Sequence, residues 1–84
     1  MKYTVAWIQQ AQDALASVWL AAADRNAVAR AANTIDRLLQ WSPQLQGQLL
    51  FDTVRVLSIS PLTVEYEVIE ADRLVYVIAV YLAD

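Results

Sequence analysis

The chain contains no cysteine and no histidine. Without cysteine there is no disulfide framework and no thiolate to act as nucleophile or ligand. Without histidine the commonest general base and metal ligand is gone, and with it any Ser-His-Asp triad. Glycine occurs once, at Gly47. Basic residues are few: Lys2, Arg25, Arg30, Arg37, Arg55 and Arg73 do not cluster, and the net charge is −3. Nucleic-acid binders draw most of their affinity from neutralised phosphates, so this balance argues against direct RNA or DNA binding. No apolar run reaches the roughly 18–20 residues of a membrane span, and the first residues lack a signal-peptide pattern. A cytoplasmic location without membrane attachment is therefore expected.

What the sequence does have is apolar residues. They make up 58% of the chain, against about 45–50% in ordinary soluble domains. The 84 residues read as one domain over 1–84, and a chain of this size buries only about 60% of its unfolded surface. The excess implies either a dense core or a face kept apolar because a partner covers it.

The clearest periodicity lies in Leu62–Val68. Leu62, Val64, Tyr66 and Val68 alternate with Thr63, Glu65 and Glu67, the pattern of a strand with one face in a core. Val54–Ser60 and Leu74–Leu82 are strand-like as well, joined through Ser60-Pro61 and Glu70–Arg73. The C-terminal third is thus predicted to be a three-stranded antiparallel meander. Its last strand is apolar on both sides, with Tyr76, Ile78 and Val80 against Val75, Val77 and Ala79, which suggests a central position.

Upstream, Lys2–Ile8 is rich in β-branched and aromatic residues and reads as a first strand. From Gln9 to about Asp24, Ala11, Leu15, Val18, Trp19 and Ala22 form one apolar helical stripe, with Trp19 as a core anchor. After a break at Asp24–Asn26, with Asn26 as the expected N-cap, Val28, Ala31 or Ala32, Ile35, Leu38 and Leu39 form a second. The short link makes the pair an antiparallel helical hairpin. Asp36 is expected on the outer face, within reach of neighbouring arginines. Ser42-Pro43 ends the second helix, and Gln44–Leu50, with Gly47, reads as loop. The fold class is α+β in the order β-α-α-β-β-β, with the hairpin on one face of a small, mainly antiparallel sheet.

This ordered set resembles the RelE/ParE superfamily of toxins from type II toxin–antitoxin modules, also known as plasmid stabilisation proteins. Tyr3-Thr4-Val5-Ala6-Trp7 is similar to the family's opening strand. The stretches Trp19–Val28 and Ala31–Leu39 resemble its helical hairpin, and Ser42-Pro43 with Gly47 the loop after it. Val54–Leu57 and Pro61–Val68 look like its paired strands. The resemblance implies a small bacterial toxin held inactive by a cognate antitoxin. RelE-like members cut mRNA on the ribosome, and ParE-like members inhibit DNA gyrase by binding it.

RelE-type ribonucleases stabilise a phosphorane-like transition state with arginines and lysines and add a group for proton transfer. One of those arginines falls where this chain has Thr63, which supplies no cation. Glu65 and Glu67 follow on the same strand face and repel a phosphate backbone. The residues up to Asp84 hold no counterpart of the family's basic or histidine-bearing tail. Arg55, Arg73 and Tyr81 remain as candidate catalytic residues. The two arginines have an ordinary structural alternative in solubility and strand-edge charge. Tyr81 is expected to be exposed on the open face, on the other side of its strand from Tyr76. Thr63, Glu65, Glu67, Val75, Val77 and Ala79 are the candidate partner-binding residues, because two helices cover only one face of the meander. No metal-ligand motif accompanies Glu65 and Glu67, and no cofactor site is expected. The reading is a ParE-like or catalytically degenerate toxin, leaning away from an enzyme. The alternatives are a RelE-like ribosome-dependent ribonuclease and a non-toxic homo-oligomeric assembly module.

Overall fold

The computed structural model describes residues 2–82. Chain order is β1 (Thr4–Trp7), α1 (Gln9–Ala21), α2 (Arg25–Trp41), β2 (Gln48–Phe51), β3 (Val54–Ile59), β4 (Leu62–Ile69), a 3-10 turn (Glu70–Asp72) and β5 (Leu74–Leu82). The five strands form one sheet in the order β1-β5-β4-β3-β2. Pairing of β1 with β5 is parallel, and the other three pairings are antiparallel. The α+β class, the hairpin and the meander match the expectation, with β5 lying inside the sheet. The addition is β2. Its residues Gln48-Leu49-Leu50-Phe51 do not alternate, and a register shift between Leu49 and Phe51 breaks the ladder there, so no two-residue period marks the strand.

The hairpin covers one face. From α2, Val28, Ala31, Ile35 and Leu39 are 3% exposed or less, and from α1 Ala11 is fully buried. They meet Leu62, Val64 and Tyr66 of β4 and Val75, Val77 and Val80 of β5 in a single core. The stripe of α2 is therefore the predicted one. Its cap is not. Asp24, not Asn26, is the N-cap, and its carboxylate accepts from the Ala27 amide at 3.0 Å. Arg25 thereby joins the helix. Its guanidinium turns back to the last carbonyls of α1, donating to Trp19 O at 3.2 Å and Leu20 O at 3.1 Å, which satisfies acceptors that a helix end leaves orphaned.

The loop between α2 and β2 is anchored from the sheet. The buried Tyr66 hydroxyl donates towards Pro43 O at 2.7 Å and Gln46 O at 2.9 Å. Arg55 Nε donates to Gln46 O at 3.0 Å and Nη2 to Gly47 O at 3.4 Å. Burial pushes the Tyr66 phenol above its ordinary pKa, opposed by the nearby Arg55 charge. Gly47 sits at φ +59°, and a Cβ there would lie 2.1 Å from the Val56 carbonyl oxygen. Only glycine tolerates both the left-handed backbone and that approach.

A second set of contacts ties β1 to the β4–β5 turn. The Tyr3 hydroxyl donates to Glu70 at 2.6 Å, Gln44 also donates to Glu70, and Arg73 lies 5.3 Å over the Tyr3 ring. Arg73 reaches Glu70 at 3.9 Å, an exposed pair that contributes at most about 1 kcal/mol.

Replacing Tyr66 by Phe takes the hydroxyl donor from Pro43 O, while Gln46 O keeps Arg55, and is expected to lower stability by about 1–2 kcal/mol. Gly47→Ala is expected to cost about 3 kcal/mol or more, through strain and collision together. Chemical denaturation of the two variants checks the size and the ranking.

Candidate functional site

Two surfaces remain once the core is filled. The first is the sheet face that the helices leave open. Register places Ser58 opposite Thr63, Val56 opposite Glu65 and Val54 opposite Glu67 between β3 and β4. Between β4 and β5 it places Thr63 opposite Tyr81, Glu65 opposite Ala79 and Glu67 opposite Tyr76. These are open-face residues, since the alternate positions Leu62, Val64 and Tyr66 are fully buried on the other side. Thr63, Glu65, Glu67, Ala79 and Tyr81 of the predicted set are thus brought together.

Val75 and Val77 are not. Both are 0% exposed beneath the helices, which corrects their assignment to the open face and removes them as contacts for a partner there. The physical reason is a bulge. Tyr66 pairs with Val77 but Glu65 pairs with Ala79, so Ile78 is an extra residue in β5. Before it, Val75 and Val77 point to the helices; after it, Val80 does, and Ala79 and Tyr81 point outward. A bulge shifts the side-chain phase by one. For the same reason Tyr76 and Tyr81 share the open face, although residues five apart in a regular strand lie on opposite sides.

The open face carries polar pairs. Ser58 and Thr63 share a hydroxyl–hydroxyl bond of 2.8 Å, the Tyr81 hydroxyl donates to Glu65 at 3.0 Å, and Thr53 donates to Glu67. Among the described residues, no lysine or arginine lies on it. Arg55 shares the helix-side face with Leu57, opposite Tyr66, and is engaged by the loop carbonyls. Arg73 is engaged at the β4–β5 turn and Arg25 at the helix–helix turn. The cluster of arginines that a relocated phosphate-binding site would need is not assembled. No group of three or more potential metal ligands occurs among the described residues.

The second surface is a groove of about 870 Å³ between α1, α2 and the outer edge of β1. Its walls are Leu15, Ala16 and Trp19 from α1, Val28, Ala29 and Ala32 from α2, and Val5 and Trp7 from β1. The alanines create it, because small side chains where the helices face each other leave room that larger ones would fill. Trp19, expected as a core anchor, is 40% exposed and forms one wall, with the Arg25 guanidinium 4.6 Å from its ring centroid. Polar groups border the groove: Gln12 donates to Trp7 O at 2.7 Å. Asp36 accepts from Trp7 Nε1 at 3.2 Å and from Gln40 at 2.9 Å, in place of the expected arginine partners. The sequence reading missed this groove. Its only signal was a tryptophan at the end of an alanine-rich stripe, just before a helix break.

With this geometry in place, the fold is that of the RelE/ParE toxins, as the resemblance implied. No family model and no curated protein matches the sequence. Solved structures do match in fold. A chain of the RelBE2 toxin–antitoxin complex from Mycobacterium tuberculosis superposes with a TM-score of 0.82 at 15% identity, covering 99% of this chain and 93% of that one. A chain of the chromosomal ParDE system from P. aeruginosa gives 0.73 at 14% identity, covering 99% and 98%. A chain of the intact E. coli RelBE complex gives 0.69 at 19% identity, covering 98% of each. No helix of the described residues is long and apolar enough to cross a membrane.

The hydrogen bond to Glu65, together with partial burial and the carboxylate charge, raises the Tyr81 phenol above its ordinary pKa. A raised value means that the contact favours the neutral phenol. Its contribution is complete below the ordinary value near ~10 and is lost as pH rises through the raised one. Ultraviolet titration is expected to show one tyrosine shifting down in Glu65→Gln. An unchanged titration would sink this contact.

Proposed function

We propose that the chain is the toxin component of a type II toxin–antitoxin pair and that it acts by binding a cellular target, in the ParE manner, rather than by cutting RNA. The observation that carries this reading is the open sheet face. It presents Glu65 and Glu67 beside the hydroxyls of Ser58, Thr63, Tyr76 and Tyr81, and no cation among the described residues. Phosphoryl-transfer chemistry needs positive charge where the transition state gathers negative charge. Two carboxylates there oppose it, and Tyr81 is held as a neutral donor to one of them. The same face suits a protein partner carrying donors or basic side chains. DNA gyrase is the target class that the ParE resemblance implies, which puts the site of action in the bacterial cytoplasm.

The antitoxin belongs in the groove. The solved structures of like fold include toxin–antitoxin complexes, which supports a partner of this kind. An amphipathic segment laying apolar side chains against Trp19, Leu15 and Val28 would cover the exposed indole. The ribonuclease alternative has no comparable support, because Arg55 and Arg73 are both taken by local partners.

Tightly controlled induction in a bacterial culture tests the reading. Growth arrest with a DNA-damage response and intact mRNA is expected. Ribosome-dependent mRNA cleavage would overturn the binding mechanism, and unimpaired growth with soluble protein would overturn the toxin. Ala29→Glu places a charge on the groove wall at an exposed position, so folding is preserved. Co-expressed antitoxin is expected to lose its protection against this variant, with affinity falling by about 30-fold to 100-fold, or roughly 2–3 kcal/mol for a charge buried unpaired.

A further inference from the structure

The sheet has two edges, and they are treated differently. The β1 edge is bordered by the helical hairpin: the Tyr3 amide donates to Gln40 O at 2.7 Å, and Gln12 caps the Trp7 carbonyl. The β2 edge is bare. Leu49, Leu50 and Phe51 are 62, 47 and 55% exposed, and Leu45, in the loop that leads into the strand, is 84% exposed. Natural proteins guard such edges with charge, proline or cover, since unpaired backbone groups beside apolar side chains template further pairing. Here charge and proline are absent from the strand, which is protected only by its shortness and by the register shift between Leu49 and Phe51. No charged residue occurs from Leu38 to Phe51, in a chain of net charge −3.

We infer that the β2 edge is an interface between two copies of this chain, joined by antiparallel pairing of β2 with itself into a continuous ten-stranded sheet. The strand suits a copy better than a foreign segment. It carries no charge that would set register or polarity for a different partner, and none that would repel its own image. Its extent is fixed on both sides by residues in left-handed backbone, Gly47 at φ 59° and Asp52 at φ 46°. A two-fold axis at Leu49 sets that side chain against its own copy on the helix side, where register with Arg55 already places it. Leu45 is exposed in the loop just before the strand, whose Gln46 and Gly47 carbonyls Arg55 holds. Stable interfaces bury about 800 Å² per partner around an apolar centre, and the exposed side chains of Leu45, Leu49, Leu50 and Phe51 supply such a centre here. The groove lies at the opposite edge of the sheet, so a dimer leaves it open. The inference stands whether or not the chain is a toxin.

Sedimentation of the full-length protein across a concentration series tests it. The expected particle has twice the 9.4 kDa chain mass at micromolar concentrations. Leu49→Lys, at an exposed edge position, is expected to weaken association about 100-fold while circular dichroism stays unchanged. Leu20→Lys, equally exposed on α1, is expected to leave the dimer intact. A chain that is monomeric throughout overturns the inference. So does a dimer that survives Leu49→Lys, or one that Leu20→Lys dissolves.

Discussion

Everything in this molecule follows from one constraint: two short helices can dry only one face of a five-stranded sheet. The face they dry is filled by Ile35, Leu39, Val28 and Ala11 against the inward residues of β4 and β5. Burial of that kind contributes about 1.5–3 kcal/mol per large aliphatic side chain, and it fixes which residues remain for outside contacts. Tyr66 belongs to both halves of the solution. Its ring completes the core and its hydroxyl holds the loop that leads to the β2 edge.

The apolar excess of the sequence does not end up on the open face. That face is dressed with hydroxyls and carboxylates in cross-strand pairs, a cheap way to keep a wide sheet wet without inviting another sheet to stack on it. The surplus sits instead at the two edges: around Trp19 in the groove beside β1, and along Leu49–Phe51 on β2. Apolar partner contacts are therefore expected at the rims, while the open face offers polar and acidic ones. Its acidic character is what the proposed binding mechanism rests on, since the backbone shared with proteins of toxin–antitoxin complexes does not by itself choose a chemistry.

Much of this was legible in the sequence. The alternation of Leu62–Val68 and the stripe Val28–Leu39 each have a strong period, and both are found as read. The open-face position of Thr63, Glu65 and Glu67 was legible too, whereas Ala79 reaches that face only through the bulge. Three features were not. The bulge at Ile78 falls in a strand that is apolar on both sides, so no change of pattern betrays the change of phase. The strand β2 lacks alternation because its own register shifts. The groove depends on how closely α1 and α2 approach above β1, which is a matter of tertiary packing that alanine content hints at but does not fix. The misplaced N-cap is a smaller instance, since Asp24 and Asn26 are both competent caps and only the return of Arg25 to the end of α1 separates them.

The bulge has a further consequence for how such a chain diversifies. Along β5 both sides are apolar, so substitutions alter the character of its two surfaces only gradually. A single-residue deletion at Ile78 is a different event. It would remove the extra residue and close the β4–β5 ladder into regular alternation, since Tyr66 and Glu65 already pair with Val77 and Ala79. Val80 would stay in the core, and Ala79 and Tyr81 would stay on the open face. The extra residue is thus what lets two odd-numbered inward positions, Val75 and Val77, precede two odd-numbered outward ones in the same strand, and a lineage could lose it without changing which side chains the terminal part of the sheet offers.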